Sequence, residues 1–376
     1  MNETKMLRRP LARLMGLLPL LLLLCTCTDA VAPEFQFEEG FLLVDGTITN
    51  VAGESQVKVS RSELLFGNSV LQPIEGVVVT SIDGAGQGVN WISTSTPGVY
   101  VPPTDWAGIP GESYRLQIAT PRGEMVESTA EVLPEPVPFQ NVRVEFEQES
   151  YFSEARDRFI PAFQVLVDVQ DPAGEANYYE YTSGTFQTIE VCASCFRSVY
   201  NNGECMPTPG SRFVERYDYL CDTRCWVTSE SANVDLFSDE FSDGQLISGV
   251  VANRTDYNRP GRLLFEIRQF NVTRKAFEFS SLVQDLAEGS GGLNAPLPAA
   301  LVGNLSDVSQ GNMPVLGYVK AAALTVDRVM IERDTFGGRS LPFDGTLRLE
   351  PRIPPPPAAP CIGLNRTTVR PAGWID

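Results

Sequence analysis

The feature that most constrains the fold is a two-residue alternation of apolar and polar side chains between residues 41 and 133. The segments FLLVDGTITN (41–50) and QVKVSRS (56–62) both show it. Such alternation is typical of a β-strand with one buried face, because successive side chains point to opposite sides. Short β-branched runs recur about every 8 to 12 residues, which predicts an Ig-like or carboxypeptidase-regulatory-like β-sandwich over residues 41–133.

The segment LPEPVP (133–138) interrupts this pattern with three prolines in six residues. A proline cluster between two strand-rich regions indicates a linker, which we place at residues 134–138. Strand patterns resume after it in NVRVEFEQ, AFQVLVDV and GRLLFEIRQFNV. The sequence therefore predicts a mainly β chain, in which a second β-sandwich-like domain occupies residues 139–350.

One helix is predicted within the second domain, at residues 273–288. Its apolar side chains recur at helical spacing and are expected to pack in the core: Ala276, Phe279, Val283 and Leu286. Thr273 is the candidate N-cap, and Gly289 is the candidate stop. The chain after residue 350 is rich in proline, so residues 351–376 are predicted to form an extended C-terminal tail.

The N-terminus has the charge pattern of a secretory signal peptide. Basic residues precede a leucine run that is too short for a spanning helix, which needs about 20 apolar residues. The leucines lead into a bacterial lipoprotein box, with Leu24 at position −3 and Cys27 at +1. We expect a signal peptide over residues 1–26, a lipidated Cys27 that anchors the protein stably, and a tether over residues 27–40. A plain signal peptide with incidental cysteines is the alternative.

Six further cysteines predict disulfide bonds, because an even set in an exported chain is typical of a disulfide framework. They are Cys192, Cys195, Cys205, Cys221, Cys225 and Cys361. Five of them lie in a Cys-rich insert at residues 192–225, so we expect one bridge to tie the tail to that insert. Fifteen pairings are possible, and the sequence does not choose among them. A four-cysteine zinc site is the alternative, since CASC and CDTRC provide paired ligands.

The chain contains no histidine, which excludes Ser-His-Asp and Cys-His catalysis and His-ligated zinc. Its net charge of −18 repels phosphate backbones, so no nucleic-acid partner is expected. The acidic loop DLFSDEFSDGQ (235–245) offers Asp239 and Asp243 at calcium-loop positions, but Phe241 occupies the third one. We therefore expect no catalytic residue, no metal and no cofactor.

Several short motifs follow one another in a set order: CTD after the leader, LLVDGTITN, STPGVYV, LFSDEFSDGQ, VTRKAFEFSSLVQDL, VLGYVKAA and PCIGLNRTTVRPAGW. As an ordered set they resemble the domain of unknown function 4249 family of Bacteroidota lipoproteins, over nearly the whole mature chain. The resemblance implies an outer-membrane lipoprotein encoded beside a SusC-like TonB-dependent receptor. It implies no activity. The family's tail carries a second cysteine where Leu364 stands here, so Cys361 is expected to pair elsewhere.

These observations favour a non-catalytic, lipid-anchored outer-membrane protein, on the cell surface or the periplasmic face. We expect it to dock on the SusC-like TonB-dependent receptor and to aid cargo capture or gating. A free-standing adhesion or glycan-binding module is the alternative. Trp91 and Trp106 are its candidate aromatic platforms, although core packing is the expected role of both. An enzyme is the least supported hypothesis, and no sequence feature identifies a ligand.

Overall fold

The computed structural model describes residues 40–66, 68–207, 216–231, 234–287, 301–309, 313–342 and 347–376. The predicted signal peptide, Cys27 and the tether before residue 40 lie outside these ranges. Within the described ranges, no helix combines the length and the apolar character that crossing a bilayer requires.

The described strands of the first half of the chain are β1 (Leu42–Thr49), β2 (Gln56–Leu65), β3 (Asn68–Pro73), β4 (Val78–Asp83), β5 (Gly88–Asn90), β6 (Ile92–Ser93), β7 (Val99–Val101), β8 (Ser113–Ala119), β9 (Met125–Ser128), β10 (Glu131–Val132), β11 (Phe139–Ser153) and β12 (Arg158–Gln170). Those of the second half are β13 (Tyr178–Phe196), β14 (Val199–Asn201), β15 (Glu204–Met206), β16 (Arg216–Glu230), β17 (Asp235–Ser238), β18 (Leu246–Asp256), β19 (Arg262–Val272), β20 (Leu305–Asp307), β21 (Val315–Glu332) and β22 (Arg366–Thr367). The described α-helix is α1 (Arg274–Ala287), and short 3-10 helices cover Glu154–Arg156 and Arg333–Phe336.

Strands whose sequences alternate between apolar and polar residues have one buried face and one more exposed face in the structure. In β2, Val57 and Val59 are fully buried while Lys58 between them is exposed. Strand β8 repeats this arrangement over its whole length, with Tyr114, Leu116 and Ile118 facing inward. The prediction of a mainly β chain is confirmed.

The described strands form four sheets. The largest has eleven strands, in the order β22-β16-β13-β19-β21-β1-β2-β7-β6, with β17 paired to β13 and β3 paired to β2. A six-stranded sheet has the order β20-β9-β8-β4-β5, with β10 on β8. A three-stranded sheet, β11-β12-β18, and a two-stranded hairpin, β14-β15, complete the set.

The large sheet contains strands from both sides of residues 134–138, the predicted linker. Strand β1 pairs antiparallel with β2 and parallel with β21, so that Val44 lies between Val59 and Gly317. The linker segment itself forms no strand, but it is hydrogen-bonded to this sheet. The Gln269 side chain donates a hydrogen bond to the Val137 carbonyl at 2.7 Å. Residues 40–376 accordingly form one compact unit.

Two main cores lie against the large sheet. In the first, Val59 and Val319 of the large sheet pack with Leu116 of the six-stranded sheet. In the second, the three-stranded sheet contributes Phe163, which packs with Phe265 of the large sheet. The large sheet thus serves as a common layer for two sandwich-like packings.

Helix α1 confirms the one helix that the sequence predicts. The Thr273 hydroxyl accepts the Ala276 backbone N–H at 3.3 Å, which is the expected N-cap bond. Ala276 is buried and Phe279 packs against Tyr318, but more than a third of the surface of Val283 is exposed. The apolar stripe therefore packs in the core only at the N-terminal end of the helix.

Candidate functional site

The six cysteines form three disulfide bonds, as predicted. Cys192 pairs with Cys221, Cys195 with Cys205, and Cys225 with Cys361. The sulfurs of Cys192, Cys225 and Cys361 cluster within 4.8 Å because two of these bonds lie side by side. Since every one of these sulfurs is oxidised, none is a thiolate that could hold zinc. The disulfide prediction therefore prevails over the zinc alternative.

These bonds hold the long strands β13 and β16 and fasten the C-terminal tail to them. Cys192 and Cys221 cross-link the two neighbouring strands, while Cys225 on β16 holds Cys361 in the tail. The tail also pairs with β16 through β22, and Trp374 packs edge-on against Trp226 with ring centroids 6.1 Å apart. The Pro-rich tail is thus a packed part of the sheet edge, as the predicted bridge requires.

A cavity of about 580 Å³ adjoins this cross-linked region. Its wall includes Glu190 and Val191 next to Cys192 on β13, Val227 on β16 and Arg366 in the tail. The Arg366 guanidinium donates to the Cys192 carbonyl at 2.7 Å. The volume is within the range of about 300 to 1,000 Å³ that ligand sites occupy.

Arginine dominates the charge of this cavity, in a chain whose net charge is −18. Five arginines line it: Arg216, Arg259, Arg262, Arg333 and Arg366. The acidic side chains in the lining are Glu190 and Asp218. Asp218 binds Arg216 at 2.9 Å, so part of the cationic charge is already paired. We call these lining residues the arginine cavity.

Two arginines of the arginine cavity, Arg259 and Arg333, donate hydrogen bonds to the same acceptor, the side-chain oxygen of Gln187. Arg259 donates to it from Nε at 2.9 Å, and Arg333 donates from an Nη at 3.1 Å. Arg333 completes its bonds with backbone carbonyls, including those of Gly261 at 2.8 Å and Pro260 at 3.0 Å. All of these acceptors are neutral.

Strand register explains why Arg333 reaches this point. Arg262 and Glu332 are partners at the ends of β19 and β21, so the chain after Glu332 begins beside the turn that precedes β19. That turn, YNRPGR, closes through Gly261 at a φ of +87°, a conformation that glycine adopts without strain. Its carbonyls then face the Arg333 side chain.

Burial makes the charge on these two arginines costly. Only 2% of the Arg333 surface is exposed. Burial, and then the nearby charge of Arg259, lower the pKa of Arg333 to about 10. Burial also lowers the pKa of Arg259, which the charge of Glu190 partly offsets. Both groups stay protonated at neutral pH, so the cavity keeps a concentrated positive charge.

The structure also brings together three aspartates near the acidic loop. Carboxylate oxygens of Asp171, Asp239 and Asp243 lie within 4.8 Å of one another. Each one accepts a backbone N–H of a neighbouring loop at 2.8 to 3.0 Å, and Asp171 also accepts the Tyr179 hydroxyl at 2.6 Å. These bonds tie the loop after β17 to the turn after β12. Burial raises the pKa of Asp171, and the adjacent Asp239 raises it further.

The two tryptophans that were candidate glycan platforms belong to the first core. Trp91 is buried and donates to the Ser81 hydroxyl at 3.0 Å. Trp106 packs against Trp91 and Tyr114 with ring centroids about 6 Å apart. Core packing, the expected role, is what both residues show.

Together, the fold and this site define a β-sandwich-like, disulfide-bonded protein with an arginine-lined cavity. A family model described as "Domain of unknown function (DUF4249)" matches residues 28–328, so the chain belongs to that family. No curated protein matches the chain. The solved structures include a similar DUF4785 family protein from Legionella pneumophila, with 12% identity and a TM-score of 0.20. The match covers 63% of this chain and 54% of that one.

Proposed function

We propose that this protein is a non-catalytic, lipid-anchored protein of the outer membrane that assists a SusC-like TonB-dependent receptor in cargo capture or gating. The observation that carries the proposal is the combination of a lipoprotein box at Cys27 with a disulfide-bonded fold. Disulfides persist in oxidising compartments outside the cytoplasm, where a lipid-anchored protein of this kind would be located.

A binding role is supported by the chemistry of the candidate site. The arginine cavity presents fixed positive charge and hydrogen-bond donors, which suit recognition of a ligand. The absence of histidine from the sequence removes the commonest general base, so a binding role accounts for the cavity more simply than catalysis does.

The alternative, a free-standing glycan-binding module, loses the aromatic platform that was considered for it. Trp91 is buried in the first core, and Trp106 is partly buried against it, so neither stands out as an exposed aromatic platform for a sugar ring. Docking on a receptor remains the better-supported role.

Affinity purification from detergent-solubilised outer membranes tests the proposal. A tag placed after Asp376, which is exposed, should recover a β-barrel receptor together with the wild-type chain. The matched control is Cys27→Ala, which removes the lipid site and should lose the receptor. Recovery of no barrel protein with the wild type would count decisively against the receptor role.

A further inference from the structure

The arginine cavity holds more positive charge than the described residues neutralise. Arg216 is paired with Asp218, and Arg262 lies 3.3 Å from Glu332. In the part of the chain that the structure describes, no carboxylate oxygen lies within 4.0 Å of the remaining three arginines, which are Arg259, Arg333 and Arg366. Buried charges are normally paired, because removing them from water is costly.

These three arginines differ in how many guanidinium N–H donors remain free to bond a ligand. Arg333 directs its guanidinium at Gln187 and at the carbonyls of the 258–262 turn, so its hydrogen-bonding capacity is already used. Arg259 bonds through Nε alone among the described contacts, which leaves both terminal nitrogens available. Arg366 bonds through one terminal nitrogen, to the Cys192 and Ile362 carbonyls. Arg333 therefore supplies charge, and Arg259 and Arg366 supply donors.

We infer that the arginine cavity is a binding site for an oxyanion, a carboxylate or phosphate group carried on a polar organic molecule. A guanidinium group presents paired N–H donors whose spacing matches the two oxygens of such a group. The oxyanion would accept hydrogen bonds from the terminal nitrogens of Arg259 and, where it reaches the tail, from the second terminal nitrogen of Arg366. It would also add negative charge in direct contact with Arg259, on which Glu190 acts only from a distance.

A second cavity indicates where the rest of the ligand would lie. This cavity, of about 620 Å³, shares Asn258 with the arginine cavity and includes Gln187 in its wall. Its lining is rich in hydroxyl groups: Ser183, Thr185, Ser229, Ser231 and Thr255. Hydroxyl groups of a ligand could exchange hydrogen bonds with these side chains. An acidic or phosphorylated sugar therefore offers an oxyanion for the arginine cavity and hydroxyl groups for the second cavity, whose lining also includes Glu230, Asp235 and Arg254.

Titration calorimetry with three related sugars tests the inference on the purified mature chain. Glucuronate carries a carboxylate, glucose 6-phosphate carries a phosphate, and glucose carries neither. We expect at least one of the two acids to bind, and the one that binds identifies the preferred oxyanion. Glucose should not bind, and added salt should weaken the binding of the acid, because salt screens partly exposed charges.

Substitution of Arg259 connects the binding to the cavity. Arg259→Gln keeps much of the side-chain length and removes the charge, and it should weaken binding about 10- to 100-fold, the effect of losing a charged hydrogen bond. Arg259→Lys keeps the charge without the planar fork and should fall between wild type and Gln. The matched control is Arg122→Gln, an exposed residue of the turn between β8 and β9 that lines neither cavity, and this variant should bind within about twofold of wild type.

Circular dichroism checks that each variant is folded. If Arg259→Gln does not fold, Arg366→Gln provides a second variant. The inference is overturned if neither acid binds at about 10 mM, well above the ~1 mM dissociation constant of a weak site. It is also overturned if glucose binds as tightly as the acids, or if folded Arg259→Gln binds like wild type. The titration needs neither lipid nor receptor. A failure here therefore leaves the proposed docking role intact, and a failed receptor purification leaves this site intact.

Discussion

Removing the disulfide between Cys225 and Cys361 should destabilise the protein more than removing the one between Cys195 and Cys205. The first bond spans 136 residues of sequence and the second spans 10. A cross-link restricts the unfolded chain, and the restriction grows with the length of the loop that it closes. Because Cys225–Cys361 also fastens the tail beside the arginine cavity, its loss should be visible at the site.

The two loop lengths give the expected magnitudes. In the chain-entropy treatment, the long loop corresponds to about 5 kcal/mol of unfolding free energy at 25 °C, and the short loop to about 3 kcal/mol. We therefore expect the double variant Cys225→Ser/Cys361→Ser to be about 2 kcal/mol less stable than Cys195→Ser/Cys205→Ser.

Guanidinium chloride unfolding under non-reducing conditions measures both variants against wild type. Tryptophan fluorescence is a suitable signal, because Trp226 and Trp374 pack together where the tail meets β16. Mass spectrometry should first verify that the two remaining disulfides are intact in each variant. Equal stability of the two variants, or a larger loss in the short-loop variant, would refute the loop-length reasoning.

Three further results are expected. Lys320→Met should lower the free energy of unfolding by about 3 kcal/mol, because the Lys320 ammonium pairs with the buried Glu180 carboxylate, which would remain without its charged partner. Asp168→Asn should lose less stability than wild type as the pH falls below 4. The urea midpoint, measured at successive pH values, reports this difference. The Ser248 hydroxyl bond, followed by other donors, lowers the pKa of native Asp168, so its contribution is complete above the unfolded pKa of about 3.9 and is lost as the pH falls through the native pKa. Trp374→Ala should cost about 3 kcal/mol and speed proteolysis of the tail, since this ring is buried against another tryptophan.

Each of these results has a control and a contradicting outcome. Lys58→Met removes an exposed lysine of the same sheet and should change stability by no more than about 0.5 kcal/mol, so an equal loss in both lysine variants would contradict the buried pair. Asp157→Asn is the exposed control for the acid series, and identical pH profiles in the two aspartate variants would show that native Asp168 is not specially stabilised. Unchanged proteolysis of the Trp374 variant would mean that the disulfide alone holds the tail.

Much of the secondary structure follows from local pattern. The alternation around Val57 and Val59 predicts a strand with one buried face because the two-residue period is a property of the strand itself. Thr273 marks the start of α1 because its hydroxyl caps the first turn. The exposure of Val283 could not be predicted equally well, since it depends on what packs beside the helix.

The long-range contacts of the site could not be predicted from the sequence. Gln187 and Arg333 are 146 residues apart, and the contact depends on the pairing of β19 with β21. The parallel pairing of β1 with β21 likewise depends on the whole sheet. The prolines between residues 134 and 138 suggest a domain boundary, but strands from both sides of them join the large sheet. For the cysteines, the sequence predicts oxidation but not partners, because pairing depends on which strands become neighbours.

The most direct test of lipid anchoring is the intact mass of the mature protein, purified from membranes of its native host. We predict that residues 1–26 are absent and that Cys27 carries a diacylglyceryl group with an amide-linked third acyl chain. Treatment with base should release the ester-linked chains and reduce the mass accordingly. An N-terminus that begins elsewhere, or a Cys27 without lipid, would contradict lipid anchoring and remove the main support for the receptor role.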